Sequence, residues 1–262
     1  MLRKLLDNVE QKIMSNEKLK MFHPLHDALD TFLYSTNTQT KNAPYVRDSI
    51  DLKRTMMIVV LSLLPAFFFG IYNVGLQSPE IADKNFLNCF TFGLYRVIPM
   101  YLVVFAVGGI CEGIFAVFRR HEINEGFLVT GFLIPLTMPP TVPLWMLALA
   151  TIFGVVIGKE IFGGTGYNIF NPALTARAFL FFAYPSKMSG NIPWVYPNDG
   201  LTQATPLLQK SSDIPLSYSF EEMFYGFIPG SVGETSTIAI LMGALILVLT
   251  KIGSLRIMIA TT

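Results

Sequence analysis

Long uncharged runs alternate with short charged stretches along this chain. Met56 to Gly75 is 20 residues without a charge. At about 1.5 Å per residue such a helix covers roughly 30 Å, one hydrocarbon thickness. Ile98 to Phe118 is a second run, with one acid, Glu112, inside it. Between Glu125 and Lys159 lie 33 uncharged residues. That is too many for one span and too few for two spans of about 20 residues plus a turn. Pro139, Pro140 and Pro143 interrupt the run and predict two shortened helices, over about 126–138 and 143–158. Asn171 to Tyr184 is another short, interrupted span, and it carries Arg177. Residues 185–230 are polar and rich in turn formers. Thr235 to Thr250 reads as a further span, and Ser254 to Thr262 begins one more.

The pattern divides the chain into a water-facing segment over 1–54, a membrane unit over 55–185, a polar loop over 186–230 and a second membrane segment over 231–262. Within the first of these, Leu25, Ala28, Phe32 and Leu33 have helical spacing, which predicts a small surface helix between His23 and Tyr34. Lys53, Arg54, Arg119, Arg120, Lys159, Lys251 and Arg256 fall at alternate ends of the spans. The positive-inside rule places those ends and the N-terminus in the cytoplasm, and residues 186–230 outside. Hydrophobic segments broken by Gly and Pro are where transporters build sites, because irregular backbone is tolerated at membrane depth only where it lines a cavity or meets protein.

Composition agrees with the pattern. The chain is 52% hydrophobic and 14% charged, against about 25% charged for a soluble domain. The expected class is an all-α polytopic membrane protein embedded in lipid. A net charge of +1 argues against a nucleic-acid partner, and two cysteines supply neither a disulfide framework nor a full iron–sulfur ligand set. No Gly-x-Gly-x-x-Gly follows a strand, so nucleotide oxidation would fall to a partner.

Three motifs carry candidate chemistry. Gly163-Gly164-Thr165-Gly166-Tyr167-Asn168-Ile169-Phe170-Asn171-Pro172 combines a glycine turn with neutral polar groups at Thr165, Asn168 and Asn171. Asn168 and Asn171 would share a face at a helix start, and Asn171-Pro172 also fits an N-cap followed by proline. Neutral donors and acceptors suit a flavin ring better than a phosphate. Asp199-Gly200-Leu201-Thr202-Gln203-Ala204-Thr205 lies on the outer loop and by itself reads as a turn. Val107-Gly108-Gly109-Ile110-Cys111-Glu112 joins a glycine pair, usually a helix-packing feature, to an acid within a span. Glu112 lies six residues before Phe118, so the pattern places it near the cytoplasmic face, within reach of water.

Four long runs carry a resemblance. Val46-Arg47-Asp48-Ser49-Ile50-Asp51-Leu52-Lys53-Arg54, His121-Glu122-Ile123-Asn124-Glu125-Gly126-Phe127, Lys159-Glu160-Ile161-Phe162-Gly163-Gly164-Thr165-Gly166 and Gly230-Ser231-Val232-Gly233-Glu234-Thr235-Ser236-Thr237 closely resemble the B subunit of the Na+-translocating NADH:quinone oxidoreductases. The resemblance covers essentially the whole chain. It implies a urea-transporter-like fold of two inverted half-repeats, here with the first half complete and the second truncated. It implies FMN held covalently through a phosphoester to a threonine, non-covalent riboflavin, ubiquinone as electron acceptor and Na+ as the transported ion. It further implies a six-subunit complex in the bacterial inner membrane, whose other members include an NADH-oxidising flavoprotein and a second covalent-FMN subunit. A periplasmic flavin transferase would attach the FMN. The family's attachment site resembles Asp-Gly-x-Ser-Gly-Ala-Thr. Asp199, Gly200, Ala204 and Thr205 match it, with Thr202 for the serine and Gln203 for the glycine. Thr205 is then the FMN acceptor. Asn168 and Asn171 match riboflavin-binding positions, with Thr165 beside them. Gly108 and Gly109 match a quinone and inhibitor region, and Glu112 a position tied to ion uptake.

Two alternatives share these patterns. The matching D subunit of the Rnf complex lacks a long cytoplasmic extension, whereas 54 residues precede the first span here. A channel-like solute transporter on the same fold would need no covalent flavin motif.

Overall fold

The computed structural model describes residues 2–15, 26, 43, 50, 52–119, 126–189, 194–195, 205–211 and 215–261. Every regular element among them is a helix. After an amphipathic α1 (Leu2–Ser15) come α2 (Leu52–Gln77), α3 (Phe86–Arg119), α4 (Gly126–Leu136) and α5 (Leu144–Gly158). A 3-10 turn (Glu160–Phe162) leads to α6 (Pro172–Ala183). Three short helices follow, α7 (Pro185–Met188), α8 (Pro206–Ser211) and α9 (Phe220–Tyr225), before α10 (Thr237–Leu249) and α11 (Leu255–Thr261). The surface helix expected between His23 and Tyr34 lies outside the described residues, His26 excepted.

Three helical stretches, Leu52–Gln77, Phe86–Arg119 and Leu144–Phe162, are long and apolar enough to cross a membrane, and α4, α6 and α10 are shorter apolar helices. The second span is longer than expected: α3 begins at Phe86 rather than near Ile98 and runs for 34 residues. At about 1.5 Å per residue that is some 50 Å against about 30 Å of hydrocarbon, so α3 extends beyond the apolar layer. Its Leu102, Ile110, Ile114 and Phe118 are all exposed and stand at multiples of four. Such a stripe has no place in water and is what a helix presents to lipid.

Small residues set the closest helix crossing. A Cβ on Gly93 would stand 1.8 Å from the carbonyl oxygen of Ile71, and one on Gly75 1.9 Å from that of Cys89. Only glycine lets α2 and α3 approach so closely, a packing mode that membrane helices favour because lipid provides no hydrophobic drive between them. Phe67, Tyr101 and Phe132 then join α2, α3 and α4 through ring centroids 5.1–5.2 Å apart, and the Tyr101 hydroxyl donates to the Phe132 carbonyl at 3.1 Å.

The proline-rich break falls where expected, between Leu136 and Leu144. α4 has 11 residues, about half a bilayer at ~1.5 Å each, so its last carbonyls end inside the fold and need partners. They find three. Gly233 N–H donates to the Leu136 oxygen at 2.8 Å and Val232 N–H to that of Met138 at 3.1 Å. Arg177, from α6, donates to the oxygen of Thr137 at 2.6 Å. The same guanidinium meets Glu234 at 2.8 Å, and Ser231 donates to Glu234 at 2.6 Å. The segment before α10 therefore folds in as the cap of a half-helix, and α10 goes on to pack against α2, with Gly243 over Ser62.

Candidate functional site

At one end of the bundle the start of α2, the starts of α4 and α6 and the end of α5 enclose a cleft of about 280 Å³. Met56, Thr130, Lys159, Thr165, Asn168 and Asn171 are among its walls. The glycine-rich run supplies one side of it. Gly163, Gly164 and Gly166 adopt φ of 125°, 92° and 91°, a region that side chains avoid, and this turn brings Thr165 against Gly126 at the start of α4.

Three residues expected together from sequence do meet at this cleft, but in different roles. Asn171 is the N-cap of α6: its side-chain oxygen accepts from the N–H groups of Ala173 and Leu174, with Pro172 at the first helical position. Asn168 does not share a helix face with it. It sits in the loop ahead of α6, accepting from Gly166 N–H at 3.3 Å and donating to the Phe170 carbonyl at 2.9 Å. The glycine turn carries on through it, so the helix starts later than the spacing of three implied. The Thr165 hydroxyl oxygen is buried without a hydrogen-bond partner. A buried hydroxyl left open in a cleft is a place for a ligand's polar atom.

Glu112 departs from expectation. It is 4% exposed rather than reached by water. Its carboxylate pairs with Lys159, itself 3% exposed, so Lys159 is not a free flanking charge either. The reason is geometric. The end of α5 packs against the side of α3, and Lys159, 47 residues away in sequence, meets the acid there. Lys159 thus joins two sites that the sequence showed separately, since it pairs with Glu112 and also lines the cleft. Glu160 is buried beside it, 3.9 Å from the ammonium. The sequence singled out neither Lys159 nor Glu160 as chemistry, because a Lys-Glu pair at the end of an apolar run looks like any helix terminus.

Gly108 is buried, and a Cβ there would stand 2.4 Å from the Phe127 ring, whereas one on Gly109 would meet nothing closer than 4.0 Å. The first glycine is thus a packing contact between α3 and α4, and the second leaves open surface. Thr205 precedes α8, and its carbonyl accepts from Gln209 N–H at 3.0 Å. Asp199, Gly200 and Thr202 to Ala204 lie outside the described residues. Thr237 opens α10 behind its N-cap Ser236.

The chain is 47% identical over 98% of its length to a protein of Chromohalobacter salexigens named as the B subunit of a Na(+)-translocating NADH-quinone reductase, of which it covers 69%. Relatives of the same name from Pseudomonas aeruginosa and Klebsiella pneumoniae are 46% and 42% identical over the same share, and 71% and 72% of their own lengths are covered. The pattern of the NQR2, RnfD, RnfE family matches residues 39–262. With its all-helical fold and apolar spans, this membrane chain belongs to the NQR2, RnfD, RnfE family.

Proposed function

We propose that this chain is the membrane subunit of a sodium-translocating NADH:quinone reductase, which binds flavin and passes electrons to quinone. The observation that carries the reading is the cleft, where neutral polar groups from a glycine turn and two helix starts converge within a family whose relatives bear that name. Its roughly 280 Å³ lies at the small end of ligand pockets, typically about 300–1,000 Å³. That suits one planar ring system rather than a whole dinucleotide. The residues fit riboflavin's isoalloxazine, which offers carbonyl oxygens and a ring N–H. Thr165 brings an unused hydroxyl, and Asn171 an amide nitrogen not engaged in capping. The flavin supplies the electron-transfer chemistry when bound. The chain's own groups hold and orient it, with Lys159, paired to Glu112, among the walls.

The finer features belong to the same reading. The second half-repeat of a urea-transporter-like fold would complete the transport unit. Thr205, on the loop facing the periplasm, would carry FMN as a phosphoester attached by a flavin transferase. Gly109 and its surroundings would face ubiquinone. NADH oxidation and the second covalent FMN would lie on other subunits of the six-subunit complex in the bacterial inner membrane, with the N-terminus in the cytoplasm. The pump relatives align over 98% of the chain, a share that takes in most of residues 1–38 ahead of the family match. This favours the pump over the Rnf relative.

In-gel fluorescence and peptide mass spectrometry test the reading together. The denatured chain should show a covalent flavin band, with the adduct on the Thr205 peptide. Thr205→Val, which keeps the branched shape without the hydroxyl, should abolish the band and electron flow to quinone. An adduct on the Thr237 peptide instead would move the site, and no covalent flavin in the wild type would defeat the assignment.

A further inference from the structure

At the other end of α2 from the cleft, α9 stands outside the spans with both its ends fixed. Ser219 and Glu222 close a capping box at its start, and Gly226 ends it at a φ of 99°. A Cβ on Gly226 would stand 2.5 Å from the Cα of Ser236, so the end of α9 is pressed against the start of α10. Two residues further on, the Ile228 carbonyl accepts from the Asn73 amide of α2 at 2.9 Å. A helix of six residues is marginal by itself; here the caps and two neighbouring spans hold it in place.

One side of α9 is aromatic and open. Phe220 and Phe224 are four residues apart and so share a face. They are 77% and 38% exposed, and their rings stack with centroids 6.3 Å apart. Tyr225 links Phe224 to Phe227, at 6.1 and 6.2 Å, and the Phe227 ring lies 5.7 Å from Phe69 of α2. Tyr72, 6.5 Å beyond Phe69, lies 5.3 Å from Phe86, the exposed first residue of α3. Aromatic rings thus run unbroken from α9 onto two of the apolar spans. The uncharged run of α2 ends at Gly75, so Phe69 and Tyr72 occupy its last two turns, at about 3.6 residues each. The rings therefore lie where hydrocarbon gives way to headgroups.

We propose that α9 lies flat in the membrane interface, with Phe220 and Phe224 against phospholipid acyl chains and Glu222, on the opposite side of the helix, toward water. Water would leave the aromatic face bare, whereas the interface is where aromatic rings are favoured. The rings shared with α2 and α3 make this face continuous with the lipid-facing surface of the spans. α9 carries two acids and no basic residue, so burial of apolar area drives the contact rather than attraction to anionic headgroups. The anchor also reaches α8, because the Gln209 side chain accepts from Ser217 N–H at 2.9 Å, two residues before the cap of α9. It thereby sets the height of α8 over the membrane. None of this depends on flavin or quinone.

Photocrosslinking of the full chain in its own membrane tests this. Phe220→p-benzoylphenylalanine and Phe224→p-benzoylphenylalanine, made singly, keep an aromatic ring at each position. Leu102→p-benzoylphenylalanine, on the exposed stripe of α3, gives the yield expected of a lipid-facing position. On irradiation, the peptides carrying positions 220 and 224 should gain the mass of one phospholipid, joined through an acyl chain, at a yield comparable to that at position 102. Attachment to another segment of protein, in this chain or a partner, would give the face a protein cover and overturn the proposal. No adduct at 220 or 224 while position 102 yields one would place the face in water and overturn it as well. Should one of the two α9 variants fail to assemble, the other decides on the same outcomes.

Discussion

At the scale of residues, Asn171 performs one task visibly and is proposed for a second. Its oxygen caps α6, and its nitrogen faces the flavin in the proposed site. The two can be separated by substitution. Asn171→Ala should lose both, lowering stability by about 1 kcal/mol, the usual value of an N-cap, and releasing non-covalent flavin. Asn171→Asp keeps a capping acceptor but removes the donor, so it should release flavin at nearly unchanged stability. Flavin content per protein and thermal unfolding in detergent check this, and full flavin retention in both variants would remove Asn171 from the site. The glycine pair divides in the same way. Gly108→Val drives a side chain into the Phe127 ring, and overpacking of that kind costs about 1–3 kcal/mol. Gly109→Ala meets open space and should unfold like wild type, so a change in quinone dependence there would report on the site and not on the fold.

At the scale of elements, the half-helix α4 exists because other elements complete it. Its terminal carbonyls are met by a loop from 94 or more residues further on and by Arg177. The guanidinium also suits the negative end of the helix dipole. Arg177→Met keeps the stem and removes the donors. It should lower stability by about 1–3 kcal/mol, the penalty of an orphaned buried carbonyl, and loosen the segment before α10. Hydrogen exchange at Val232 and Gly233 would report the loosening, and unchanged protection there would contradict the capping role. α9 gives a milder example outside the spans. Ser219 and Glu222 form a reciprocal capping box, and the hydrogen bonds from Ser219 hold the Glu222 carboxyl below the usual carboxylate range. A carboxyl depressed on folding contributes stability above its unfolded pKa and loses it as pH falls through the folded value. Acidification through that range should fray α9, with Ser219→Ala showing less of the effect.

At the scale of the whole molecule, the structure gathers Met56, Gly126, Lys159 and Pro172 at one end, the end to which the basic residues assign the cytoplasm. Arg119 and Lys210 are both exposed and should face opposite sides. With cysteines introduced singly, an impermeant thiol reagent added to intact cells should label position 210 and not position 119. The reverse pattern would invert the orientation and withdraw the outer-loop location on which flavin attachment at Thr205 depends.

The linear chain was enough to determine the proline break, the N-cap at Asn171, the glycine turn and the apolar spans, apart from the early start of the second at Phe86. Each depends on neighbours within a few residues: uncharged length, a missing N–H, a short polar side chain next to proline, φ values open to glycine. What the chain by itself could not show was where charges would go. Glu112 and Lys159 each looked like a group near an interface. They became a buried pair only because α5 ends against the side of α3, a contact 47 residues apart in sequence. Arg177 stood as a charge inside a short span, and nothing in the sequence linked it to Glu234. Burial, counter-charge and the satisfaction of a broken helix's carbonyls depend on the surroundings in space, and tertiary packing alone decided them.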